Sequence, residues 1–161
     1  MVQIKIFSCG GTIDKVYFDA NSEFMVGEPQ IDTVFREAGV TFQYQIESLL
    51  RKDSLEMTEE DRGLVRQRVA AEPWTRILIT HGTDTMTATA AALEGIPDKT
   101  IVLTGSMTPV RFRVSDAVFN IGLAVGALLC KPAGVYVAMN GQVFPAGHVR
   151  KNLELKRFEW A

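Results

Sequence analysis

Apolar residues recur along the chain with two periods, and the two alternate. Val2, Ile4 and Ile6 follow the period of a strand and lead through Phe7 into Gly10 and Gly11. A polar stretch from Asp14 to Glu28 comes next, with Tyr17, Phe18 and Phe24 set among the turn formers Asp19, Asn21 and Ser22. So long a segment after a first strand predicts a lid-like loop. Pro29 suits the first turn of a helix that runs to about Ala38 and is stopped by Gly39. Val40, Phe42, Tyr44 and Ile46 return to strand period. Thr58 and Asp61 have the spacing of a capping box and open a helix through Leu64, Val65 and Val69.

The second half repeats this alternation. Ile77, Leu78 and Ile79 predict a buried strand, followed by a helix from about Asp84 to Leu93 that Gly95 ends. Thr100 to Leu103 is a fourth strand. Ser115 caps a helix to about Leu129, and Val135 to Ala138 is a fifth strand. Strands separated by helices predict a parallel sheet covered on both faces. The expected fold class is therefore α/β. It is a three-layer sandwich with a mainly parallel central sheet, flavodoxin- or Rossmann-like, in one domain over residues 1–161.

The composition of the 161 residues, 47% hydrophobic and 22% charged, is that of an ordinary globular protein. The net charge of −2 argues against nucleic acid or an anionic membrane as partner. Arg111, Arg113, Arg150, Lys151, Lys156 and Arg157 are the only candidates for a local basic patch. Cys9 and Cys130, with His81 and His148, offer no zinc-ligand spacing, so no metal is expected. Met1 enters a strand without a signal-peptide pattern, which leads us to expect a cytoplasmic protein with free thiols.

In open α/β sheets, ligands bind at the carboxyl ends of the strands. Those ends carry Gly10-Gly11-Thr12, Asp53-Ser54, His81-Gly82-Thr83-Asp84-Thr85, Gly105-Ser106-Met107-Thr108 and Asn140-Gly141, with Lys151 shortly after. Such a rim suits nucleophilic chemistry. A threonine hydroxyl attacks only when a base takes its proton, and Thr83, Asp84 and Lys151 could form that relay. Backbone N–H groups around Gly11 and Gly82 could stabilise an oxyanion, at about 3 to 4 kcal/mol per good donor. Each residue also has a blander role. Thr83 and Asp84 could simply cap a helix, Gly10-Gly11 could be a plain turn, and His81 could pack rather than catalyse. No GxGxxG or GxxxxGK[ST] occurs, so nothing supports nucleotide binding.

Taken together, these segments resemble the bacterial-type L-asparaginase family. Cys9-Gly10-Gly11-Thr12-Ile13 is similar to the family's first signature, and Ile79 to Met86 resembles the second almost letter for letter. Ile101 to Pro109, Val137 to Asn140 and Gly147 to Lys151 resemble later parts of the family's catalytic domain. The resemblance implies that Thr12 is the nucleophile and that Thr83, Asp84 and Lys151 form the second catalytic group. Tyr17 would supply the lid hydroxyl, because Phe24 stands where the family has a tyrosine. The resemblance further implies substrate contacts from Gly11, Ser54, Gly82, Ser106 and Asp84. Asp53 would help hold the substrate ammonium in place of the second domain that family members usually carry. It implies asparagine as substrate and no cofactor.

The apolar helix after Ser115 and the tail Leu153, Leu155, Phe158 and Trp160 suggest a homodimer or homotetramer. Two other functions fit the same residues. One is a non-catalytic amino-acid-binding subunit, and the other an amidase for a larger substrate.

Overall fold

A computed structural model describes residues 1–18 and 23–161. Its central sheet has six strands in the order β4-β1-β5-β6-β7-β8. These are β1 (Gln3–Gly10), β4 (Gln43–Lys52), β5 (Arg76–Thr80), β6 (Thr100–Thr104), β7 (Gly134–Met139) and β8 (Gln142–Pro145). The first five run parallel, and β8 returns antiparallel on β7. The helices are α1 (Ile31–Ala38), α2 (Glu59–Ala71), α3 (Met86–Leu93) and α4 (Ala117–Cys130). The expected α/β sandwich with a mainly parallel sheet is the observed one.

Strand side chains alternate between two cores, which explains why both faces must be covered. Ile77 and Ile79 of β5 share one core with Val65 and Val69 of α2 and Ala90 and Leu93 of α3. Leu78 points the other way, among Val34 and Phe35 of α1 and Ile121 and Ala124 of α4. Val102 of β6 joins the second core, while Ile101 and Leu103 join the first. Chain order and sheet order reverse around β1, because the chain moves outward to β4 and then crosses to β5 on the other side. That switch point lies between β1 and β5, where two parallel carboxyl ends lie side by side.

Several element boundaries differ from the expected ones. The segment after Thr12 is an antiparallel hairpin, β2 (Lys15–Phe18) with β3 (Glu23–Val26), rather than a structureless loop. Its central turn formers Asp19, Asn21 and Ser22 lie outside the described residues. Val16 to Phe18 and Phe24 to Val26 are β-formers that pair once a turn is available. Helix α1 begins at Ile31, past Pro29, and ends at left-handed Gly39 as expected. The third helix begins at Met86, two residues later than Asp84. Asp116, not Ser115, is the boundary residue of α4, although Ser115 Oγ accepts the Ala117 N–H at 3.1 Å. The capping box at Thr58 and Asp61 forms in both directions. Beyond β8 the chain adds the short hairpin β9 (Val149–Asn152) with β10 (Arg157–Trp160), which brings Lys151 back to the sheet. No described helix is long and apolar enough to cross a membrane.

Candidate active site

Four strand ends meet so closely that only glycines fit between them. A Cβ on Gly11 would lie 2.4 Å from both N and Cα of Gly82. A Cβ on Gly82 would lie 2.6 Å from Cβ of Ser54, and one on Gly105 2.2 Å from the His81 carbonyl oxygen. Gly11 also adopts φ 88°, a conformation that costs any other residue strain, and its N–H donates to the Lys52 carbonyl at 2.9 Å. Thr12 and Thr83 each follow one of the two touching glycines, at the ends of β1 and β5. Thr12 itself is half-buried in a single 3-10 turn, Thr12–Asp14.

Lys151 completes this cluster from the other end of the chain. Its Nζ donates to Thr83 Oγ1 at 2.8 Å and to Asp84 Oδ1 at 2.6 Å. The lysine side chain is 13% exposed and the Asp84 side chain 36%, so the carboxylate is the more solvent-facing member of the pair. Directly across the β9–β10 hairpin from Lys151 sits Phe158, buried in the core, which fixes the hairpin against the sheet. Thr83 and Asp84 therefore engage the lysine rather than cap α3, whose boundary residue is Thr85. Ser54 binds this unit from β4. Its Oγ accepts the N–H groups of Asp84 (3.1 Å) and Thr85 (3.3 Å), while Thr85 Oγ1 donates to the Ser54 carbonyl at 2.7 Å. The Ser54 hydroxyl keeps its own proton free to donate.

The loop after β6 is equally well held. Ser106 is buried and donates to the Thr108 carbonyl at 2.6 Å. The Asp116 carboxylate accepts N–H groups from Met107 (2.9 Å) and Thr108 (3.1 Å), and the Asn120 amide joins it to the Gly105 carbonyl. His81 is wholly buried. Its Nδ1 faces the Gly82 carbonyl at 2.7 Å and so carries the proton, while Nε2 accepts from the Thr89 hydroxyl at 2.7 Å. Burial without a counter-charge lowers its pKa to about 4, so the ring is neutral and packs, as expected. The Cys9 thiol is buried and pushed up to about 12, mainly by desolvation, so it stays protonated.

The hairpin stands over the start of the site. Tyr17 is 53% exposed and meets Phe24 edge-on at 5.5 Å, and Phe24 meets Phe112 of the β6–α4 loop at 5.3 Å. Its root is closed by Asp14, a residue the sequence offered only as the start of a loop. Asp14 Oδ1 accepts the Gln30 N–H at 2.9 Å, Oδ2 faces the Ser8 hydroxyl at 2.9 Å, and the Asp14 carbonyl accepts the Gly27 N–H. Burial raises this carboxyl to about 6 against the lowering effect of those bonds. Asp53 pairs with Lys15 at 3.5 Å and caps the turn at Ser54 by accepting the Leu55 N–H. Its carboxylate is thus partly engaged. Lys15, Gln30 and Asp116 carried no periodicity or motif that would have marked them. Among the described residues, no cluster of three His, Cys, Asp or Glu side chains could hold a metal ion.

The sequence profile of the asparaginase N-terminal domain matches residues 3–157, nearly the whole chain. The chain belongs to the asparaginase family. Among curated relatives it is 33% identical over 133 residues to a glutaminase-asparaginase of Acinetobacter glutaminasificans, covering 79% of this chain and 39% of that protein. It is 32% identical over 156 residues to one component of a glutamyl-tRNA(Gln) amidotransferase of Aeropyrum pernix, covering 87% of this chain and 35% of the relative. The thermostable L-asparaginase from Thermococcus kodakarensis superposes with a TM-score of 0.86 at 28% identity, covering 99% of this chain and 51% of its own. The chain thus spans about half or less of the length of these asparaginase-family relatives.

Proposed function

We propose that the protein hydrolyses the side-chain amide of L-asparagine to L-aspartate and ammonia. The contact that carries this reading is Lys151 Nζ bonded at once to Thr83 Oγ1 and Asp84 Oδ1, on a strand end that touches the one bearing Thr12. Thr12 Oγ1 attacks the amide carbon, its proton passes to the leaving nitrogen, and ammonia departs. The resulting β-aspartyl ester is hydrolysed by a water whose proton is taken through Thr83 and Lys151, and Thr12 regains its hydroxyl. Backbone N–H groups beside Gly11 and Gly82 hold the oxyanion. The Ser54 hydroxyl and the Ser106 loop bind the substrate's carboxylate side, Asp84 and Asp53 its ammonium, and Tyr17 closes over it.

We further read residues 1–161 as one catalytic domain that works in the cytoplasm as a homodimer or homotetramer. Exposed Phe119 on α4 and Leu153, Leu155 and Trp160 in the tail support the assembly. Replacing Thr12 by alanine is expected to lower ammonia release from asparagine by at least about a thousandfold, the scale of losing an activated nucleophile. Equal rates for the two proteins in a coupled ammonia assay would defeat the assignment.

A further inference from the structure

Among the described residues, one sizeable cleft lies apart from the strand-end cluster. It holds about 670 Å³ and lies between the β2–β3 hairpin and the β6–α4 loop, lined by Tyr17, Phe24, Glu28, Gln30, Arg111 and Phe112. None of Thr12, Thr83, Asp84 or Lys151 lines it. Its size is that of a small-molecule site. Two hydrogen bonds tie it to the nucleophile's turn: Val110 N–H donates to the Ile13 carbonyl at 3.2 Å, and Gln30 N–H donates to Asp14. The walls of the cleft are therefore bonded to residues one and two positions after Thr12, and one added amino-acid residue extends a substrate by about 3.5 Å.

The chemistry of its lining has two parts. Tyr17, Phe24 and Phe112 form an edge-to-face row, each 43–53% exposed, and such a row is a ready surface for an apolar or aromatic group. Arg111 is oriented by its Nε donating to Gln30 Oε1 at 2.7 Å. Its two terminal nitrogens have no acceptor among the described residues and can fork onto a carboxylate. Glu28 does not compete for the guanidinium, because it pairs with Arg51. One cationic fork beside one aromatic row fits a ligand with an apolar body and a terminal carboxylate.

We infer that this cleft receives the extension of a substrate longer than free asparagine: an asparaginyl dipeptide whose second residue is apolar or aromatic and ends in a free carboxylate. The inference rests on the proposed amide hydrolysis at Thr12 and adds a substrate class to it. The peptide carbonyl takes the place of one carboxylate oxygen near Ser54, the second side chain lies on Phe24 and Phe112, and its carboxylate meets Arg111. No bond beyond the side-chain amide is cleaved.

The test compares ammonia release from asparagine, Asn-Gly, Asn-Phe and Asn-Phe amide. We expect kcat/KM for Asn-Phe to exceed that for Asn-Gly at least tenfold, and to fall about tenfold when the terminal carboxylate is amidated. Arg111→Gln should erase the acid-over-amide preference, and Phe112→Ala the preference for Phe over Gly. Equal kcat/KM for Asn-Phe and Asn-Gly in the wild-type protein would overturn the inference. So would a preference for Asn-Phe that amidation leaves intact. If no substrate releases ammonia, asparagine included, the hydrolase reading fails by itself. Calorimetry of Asn-Phe and Asn-Gly on the Thr12→Ala protein then decides the cleft: tenfold tighter binding of Asn-Phe sustains it, and equal binding ends it.

Discussion

The strand-end cluster and the hairpin above it are built on opposite principles. In the cluster, Gly11, Gly82 and Ser54 leave no room for one more carbon, and the Lys151 contacts are 2.6 and 2.8 Å long. In the hairpin, three half-exposed aromatics touch edge to face, and the Tyr17 hydroxyl has no partner among the described residues. Backbone against backbone fixes the first region, whereas the aromatic side chains of the second meet only at their edges and stay half open to solvent. Groups that do chemistry need the former, while groups that admit or retain a substrate can use the latter.

The sharpest way to break this contrast is to add one carbon to the cluster. Gly11→Ala puts a Cβ 2.4 Å from two backbone atoms of Gly82 and requires a left-handed backbone. We expect a loss of about 3 to 5 kcal/mol in unfolding free energy, at the upper end of overpacking effects. A urea midpoint equal to that of the wild type would show that the cluster is not tight.

The second prediction sets two buried ionisable groups against each other. Asp14, raised to about 6, is protonated in the folded state over a range where the unfolded chain is ionised. Its contribution to stability is present below about pH 4 and lost as pH rises to about 6. His81, lowered to about 4, behaves oppositely: its contribution is present above about pH 6.5 and lost as pH falls to about 4. Each amounts to about 3 kcal/mol by linkage, so the two nearly cancel over one window. Between pH 6 and pH 4, His81→Gln should therefore gain stability relative to wild type on acidification, and Asp14→Asn should lose it. Parallel denaturation curves for all three proteins at both pH values would refute the burial of these charges.

The smallest effect belongs to the hairpin. Tyr17→Phe keeps the edge contact with Phe24 and removes only the exposed hydroxyl. We expect kcat/KM for asparagine to fall less than about tenfold if the hydroxyl makes one hydrogen bond in the transition state. A thousandfold fall would move Tyr17 into the tight cluster's class.

These two regions also differ in how well the sequence announced them. Strand alternation and the two glycine signatures marked the floor, because a sheet core and a forced close approach both leave local patterns. The Thr83–Asp84–Lys151 contact followed from a resemblance and from strand-end logic, even though its members are separated by 67 residues. The hairpin read as a loop because four-residue strands around a polar centre carry too little periodicity. Asp14 stood out only as the start of a loop, and Arg111 only as a member of a basic patch, for a related reason. A buried carboxylate and a free guanidinium look, in sequence, like any other charges, and their environment is made by segments far along the chain.

Asp14 has one more consequence. The chain leaves this residue into β2, and on its return Gly27 and Gln30 both bond back to it. Entry and exit are clamped at a single residue, so a graft that exchanges β2 and β3 keeps its anchor as long as Asp14, Gly27 and Gln30 are retained.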